Sequence, residues 1–248
     1  QRRAMTVSHQ FGTVIAGQRL SPEVMNSIRE AANKTGVDFD FLVAQASLES
    51  GFRGNVHANK SSATGLYQFT GSTWLRMIHD HGAQYGYGDL AKQVKLNAQG
   101  APVVADRASE RKILELRGND RLSALMAGEY AKLNGNRLEA VTGHKATPAE
   151  LHLAHLLGPN GAIKFIKAHD MNGSQSAAKV APQAAKQNPE LFYSRGSATS
   201  QSVATVYRNI QEKLNVPLRQ VAELEKAPLR PALCLSDNLP RPRTDRRA

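Results

Sequence analysis

Residues 44–52 read AQASLESGF, a small-residue helical stretch that stops at a glycine and carries one carboxylate, Glu49, in its last turn. No Lys or Arg precedes it within the segment. A helix macrodipole favours cations at the C-terminus and works against an anion there. As an ion, then, this carboxylate is badly placed, and the placement asks for a chemical reason.

Helical punctuation recurs on both sides of this stretch. Ser21-Pro22 reads as an N-cap followed by Pro at the first helical position, with Val24, Met25 and Ile28 forming a stripe. Asp38 or Asp40 caps the next helix, in which Phe41, Leu42 and Leu48 supply apolar contacts and Gly51 is the C′ residue. Residues 52–71 read as loop, and Ser72 is expected to cap a helix bearing Trp74, Leu75 and Ile78 that stops at Gly82. A polar, Gly-rich stretch over 83–105 reads as irregular, and helices resume near 107–117 and 121–134. Thr147-Pro148-Ala149-Glu150 is a capping box with Pro at N1. Its helix is expected to run to Gly158, followed by another bearing Ile163, Phe165 and Ile166. Val203, Tyr207, Ile210 and Leu214 fall on one helical face. Alternating strand patterns are nearly absent, so the expectation is an all-α domain over residues 21–215. Residues 1–20 read as an irregular N-terminal extension. Residues 216–248, ending in LRPALCLSDNLPRPRTDRRA, read as a Pro/Arg-rich tail that is disordered or loosely docked.

The 248 residues are enough for one substantial core, and no apolar run approaches the ~18 residues of a membrane helix. Cys234 is the only cysteine, so no intrachain disulfide forms. The net charge of +11 is shared among the two termini and the body. It favours an anionic partner, but no nucleic-acid-binding module or clustered basic helix accompanies it. GYGDLA at 86–91 matches a loose dinucleotide pattern, but what precedes it is a helix rather than the strand the fingerprint needs. His152 and His155 lack the i, i+4 spacing of a metalloprotease helix, so neither a metal nor a cofactor is expected. His79 and His81 read as a polar helix end, and Glu129 as a solvated helix face.

Downstream of Glu49 lies SSATGLYQFTGSTW, residues 61–74, where hydroxyl residues such as Ser62 and several glycines surround Leu66-Tyr67-Gln68-Phe69. Polysaccharide sites use such parts: sugar rings pack on apolar walls while amides and carbonyls read hydroxyl and acetamido groups. ASLESGF followed by ATGLYQFTGSTW resembles the Glu-Ser and Gly-Leu-Met-Gln motifs of soluble lytic transglycosylases, lysozyme-like enzymes that cleave peptidoglycan glycan strands. The resemblance covers residues 38–76 in order, spacing and type, is looser over 120–168, and is absent at both termini. It implies a lysozyme-like helical domain in which Glu49 is the single catalytic acid/base. It implies that Gly65, Leu66, Tyr67 and Gln68 line the sugar groove, to which Phe69 adds an aromatic wall, and it places Tyr130 near the groove, a core tyrosine being the alternative. Tyr67 stands where the family has Met. In AHLLGPNGA, residues 154–162, His155 stands where the family has a Tyr that positions the catalytic Glu, and Leu156 where it has Asn.

The chemistry gives the disfavoured placement of Glu49 a use. No Asp or Glu occurs between Glu49 and Asp80, and a lone acid suffices when the substrate's own N-acetyl oxygen stabilises the cationic centre. Such an acid must hold a proton near neutral pH, which a helix C-terminus and an apolar pocket both favour. His155 is expected either as a helix histidine or as the replacement of that Tyr, in which case its protonation, near or somewhat below pH ~6.5, would spoil the acid. The resemblance implies glycan strands of peptidoglycan as partner, with envelope or secretion-assembly proteins beside them, a monomer, and a periplasmic or cell-envelope location. The chain starts at Gln1 rather than Met, which raises the expectation of a targeting segment removed from it. The rival readings are a muramidase that uses water on the same bond, and a wall-binding or assembly module without catalysis.

Overall fold

The computed structural model describes residues 12–54 and 63–226, an all-α domain with two small two-stranded sheets. Helix α1 (Pro22–Thr35) starts where Ser21, in extended conformation, accepts a hydrogen bond from the Val24 N–H, and ends at Gly36 with φ 77°. Helix α2 (Phe39–Ser50) is buried over Phe41–Ser47, almost all round, which marks it as the central helix rather than a surface one. It packs against α1, against α6 (Asp120–Thr142) and against α11 (Val203–Lys226). Two core clusters meet along it: Phe41, Leu42 and Val43 belong to one with Trp74 and Leu125, while Ala44 belongs to the other with Leu153, Phe165 and Ile210.

Thr70, not Ser72, caps α3 (Gly71–His81): its side chain accepts from the Thr73 N–H, so the helix begins earlier than expected. Trp74 is fully buried and its indole N–H donates to the Ile113 carbonyl at the end of α5 (Arg107–Glu115). Residues 83–105 are more ordered than their polarity suggests. They hold a 3-10 turn (Gly82–Tyr85), the short α4 (Gly88–Ala91) and a hairpin of strands Val94–Leu96 and Pro102–Val104. Helix α6 runs past 134 to Thr142, because Leu138 still faces the core, and Gly143 at φ 78° ends it. Thr147 and Glu150 form the capping box of α7 (Pro148–Asn172), which breaks at Gly158 (φ 69°, ψ 163°) ahead of Pro159 into the two expected segments. Three short helices, α8 (Ala177–Val180), α9 (Pro182–Gln187) and α10 (Pro189–Phe192), lead to α11.

Both expected boundaries are corrected. Residues 13–20, placed in an irregular extension, form a hairpin of strands β1 (Thr13–Ile15) and β2 (Gln18–Leu20) around a turn with Ala16 and Gly17 at positive φ. Ile15 and Leu20 enter the core, which is what fixes the hairpin. Residues 216–226, placed in the tail, continue α11 to Lys226: Val221 is buried in the core, and the Gln220 side chain accepts from the Ala16 N–H at 2.6 Å. The face of Val203, Tyr207, Ile210 and Leu214 is buried as expected. Residues 1–11 and 227–248, including Cys234, lie outside the described residues. No helix among the described residues is long and apolar enough to cross a membrane.

Candidate active site

The end of α2 is held from two sides. Gly51 and Phe52 both turn left-handed (φ 61° and 64°), and for an aromatic residue this is a rare backbone state that must be imposed by its surroundings. On one side Ser47 donates to the Gln18 side chain at 2.7 Å, tying α2 to the β1–β2 hairpin. On the other, residues 64–69 form a tight turn closed by the Thr64 N–H to Phe69 carbonyl bond. Ser50 donates to the Leu66 carbonyl at 2.8 Å, and the Tyr67 hydroxyl donates to the Leu42 carbonyl at 2.9 Å. Gly65 (φ 87°) is required there: a Cβ would come within 2.0 Å of the Arg117 carbonyl oxygen.

Leu66, Tyr67 and Phe69 were expected on a groove wall, and their side chains are instead core. Each is at most 1% exposed. Tyr67 fills the volume between α2 and the turn with its hydroxyl satisfied by a helix carbonyl, and burial pushes its phenol up well above the ordinary value. Gln68 is half-buried at φ 50°, and its amide donates to the Gly65 carbonyl at 2.9 Å. Ser62 lies outside the described residues.

Helix α7 brings two imidazoles to Glu49. Nε2 of His155 lies 3.5 Å and Nδ1 of His152 lies 3.8 Å from the same carboxyl oxygen, Oε1. The His155 ring meets Phe69 and Tyr130 edge-on, with centroids 5.8 and 6.0 Å away. His152, which sequence reasoning weighed only as a metal ligand, stands equally close. The signal was present: positions 152 and 155 are three apart and share a helix face. Among the described residues no group of three or more His, Cys, Asp or Glu is arranged to hold a metal ion.

The electrostatics follow from burial. The Glu49 side chain is 12% exposed, and Oε1 is closed off from water without a hydrogen-bond partner. The exposure that remains belongs to its other atoms. No basic residue occupies the last turn of α2. Burial without a compensating donor pushes the carboxyl up from 4.5 to about 8. The same burial pushes His155 down to about 4, although a hydrogen bond from its ring to the Tyr67 backbone acts the other way. Burial and the positive fields of His155 and Lys213 push His152 down to about 3. At neutral pH the cluster is therefore one protonated carboxyl facing two neutral rings. The acid-side loss of function expected near pH ~6.5 moves down with His155.

Glu129 is corrected from a solvated helix residue to a buried one: Gln84 at 2.9 Å and the Tyr85 hydroxyl at 2.5 Å donate to its Oε1. These bonds tie α6 to the 3-10 turn and give the carboxylate a structural role. An open cleft of about 660 Å³ flanks the 64–69 turn, lined by Gly54, Thr64, Leu114, Arg117 and the exposed Arg107 and Arg111. Glu49 is not among the residues that line it, which also include Glu110 and Glu115. No protein-family model matches the chain.

Proposed function

We propose that the chain is a lysozyme-like enzyme that cleaves the β-1,4 bond between N-acetylmuramic acid and N-acetylglucosamine in peptidoglycan, by lytic transglycosylase chemistry. One observation carries the reading: the Glu49 carboxyl at the end of α2 is buried with no hydrogen-bond partner for Oε1, 3.5 and 3.8 Å from two buried imidazoles, and that burial pushes its proton affinity up. That is the state a general acid needs at neutral pH. The motif resemblance around Glu49 and the 64–69 turn supports the substrate.

Glu49 gives its proton to the glycosidic oxygen as the C1–O bond breaks. The acetamido oxygen of the muramic acid closes on C1, so no second carboxylate is required. Glu49, now a carboxylate, takes the proton of the same sugar's C6 hydroxyl as that oxygen attacks C1 and displaces the acetamido oxygen, which restores the N-acetyl group, regenerates the acid and leaves a 1,6-anhydro end. If water attacked instead, the product would be a reducing end heavier by one water. Mass analysis of peptidoglycan fragments tests the proposal: anhydro ends are expected. Reducing ends alone would replace the lyase with a muramidase, and intact strands would leave neither.

A further inference from the structure

We infer that His152 is a positioning residue for Glu49, whose Nδ1–H supplies the hydrogen bond that Oε1 requires once the acid proton has left. The inference rests on the acid/base reading of Glu49 and deepens it. Oε1 of Glu49 and Nδ1 of His152 are both shut off from water, neither has a partner, and they face each other across 3.8 Å. A donor nitrogen and an acceptor oxygen normally bond at about 2.7–3.2 Å, so the pair stands about 0.6–1.1 Å short of a contact. A protonated carboxyl tolerates that gap. A buried carboxylate does not, because an unpaired buried charge is far costlier than an unpaired neutral oxygen.

Glu49 becomes a carboxylate in every turnover, so the attraction that closes the gap arises only along the reaction. An interaction of that kind accelerates the chemical step rather than substrate binding. His155 is less free to serve. Its ring is packed edge-on against Phe69 and Tyr130. The groups that bear on the pair are His155 on α7, 3.5 Å from Oε1, and Lys213 on α11, with Gln45 one turn back from Glu49 on α2. Burial first, and then His155 and Lys213, disfavour a proton on His152 and keep its ring neutral. A neutral ring carries a single N–H, and the inference puts it on Nδ1.

Nitrogen NMR of histidine-labelled wild-type protein reads the tautomer directly. The expected result is a proton on Nδ1 of His152 and an Nδ1 signal that moves as Glu49 ionises near pH 8. A ring protonated at Nε2 alone, or an Nδ1 signal indifferent to that titration, overturns the inference. This measurement reads no activity, so it decides on His152 whether or not the chain cleaves glycan. Kinetics add a second arm through an isosteric pair, His152→Asn and His152→Leu, of which only Asn places an N–H near the Nδ1 position. His152→Leu is expected to lower kcat about ten- to a hundred-fold with KM nearly unchanged, and to move the alkaline limb up by about one pH unit. His152→Asn is expected to stay within about threefold of wild type in kcat. Equal kcat and equal limbs in the two folded variants also overturn the inference, and if His152→Leu does not fold, the NMR result stands alone as the test.

Discussion

At Glu49 the folded chain keeps a proton that the unfolded chain releases above pH 4.5, since burial moves the group to about 8. The folded-state value is the raised one, so stability is lost as pH climbs from 4.5 through 8 and is recovered below that window. Glu49→Gln removes the ionisable group while keeping its shape. It is expected to stabilise the protein by about 3 kcal/mol at pH 7, a gain that vanishes toward pH 4.5. Denaturant unfolding of both proteins at several pH values checks this, and equal stability at pH 7 would mean that the carboxyl is not held in its neutral form. His155 has the opposite sign: its folded value of about 4 lies below the ordinary 6.5, so its contribution is lost as pH falls through that window. The activity profile is therefore expected to be flat between about pH 4 and about pH 8, with the acidic limb set by His155. In His155→Phe that limb should disappear. A wild-type limb near pH 6.5 would contradict the burial argument.

Helix ends and the 64–69 turn show which parts of the site could be read in advance. Gly51 as the stop of α2, the Thr147 capping box and the α11 face are local patterns, written within a few residues of the structure they specify, and they could be recognised without tertiary information. The β1–β2 hairpin could not: three-residue strands are too short to show alternation, and Ala16 at φ 50° carries no turn signature. Tyr67 was legible as an aromatic in a Gly-rich segment, but its partner is a helix carbonyl 25 residues earlier, and that decides core against groove. The Glu49–His152 relation spans more than 100 positions and exists only in the fold. Tyr67→Phe leaves the turn one tether short while the Leu42 carbonyl keeps its helical bond, and is expected to cost about 1 kcal/mol in denaturant unfolding. Gly65→Ala meets both the Arg117 carbonyl and a left-handed backbone. Its expected cost is larger, about 2–4 kcal/mol, with disruption of the turn read by near-ultraviolet circular dichroism and loss of cleavage.

Across the whole molecule the chain ends of the domain close on each other. The hairpin near the start docks on the last helix through the Gln220–Ala16 bond, and Val221 seals the core between them. The exposed Arg29–Glu225 pair adds little. A truncation after Pro217 removes the docked end of α11, and is expected to lower Tm on the order of 5–10 °C by loss of buried apolar surface. Val221→Ala should reproduce about a third of that loss. An unchanged Tm after this truncation would show that residues 218–226 are dispensable to the core. Under the proposed function, the basic excess over the whole chain predicts salt-dependent attachment to an anionic wall, and sedimentation with purified peptidoglycan is expected to fall as ionic strength rises.

The most direct test of the central claim is the rate of glycan-strand cleavage by wild type and Glu49→Gln on purified peptidoglycan at pH 7, with folding of both verified by circular dichroism. An acid/base residue contributes about 10²–10⁴-fold. A single buried acid predicts that the folded variant cleaves at less than about a hundredth of the wild-type rate while being the more stable protein. A folded variant that cleaves at more than that fraction would contradict the assignment of Glu49 as the acid.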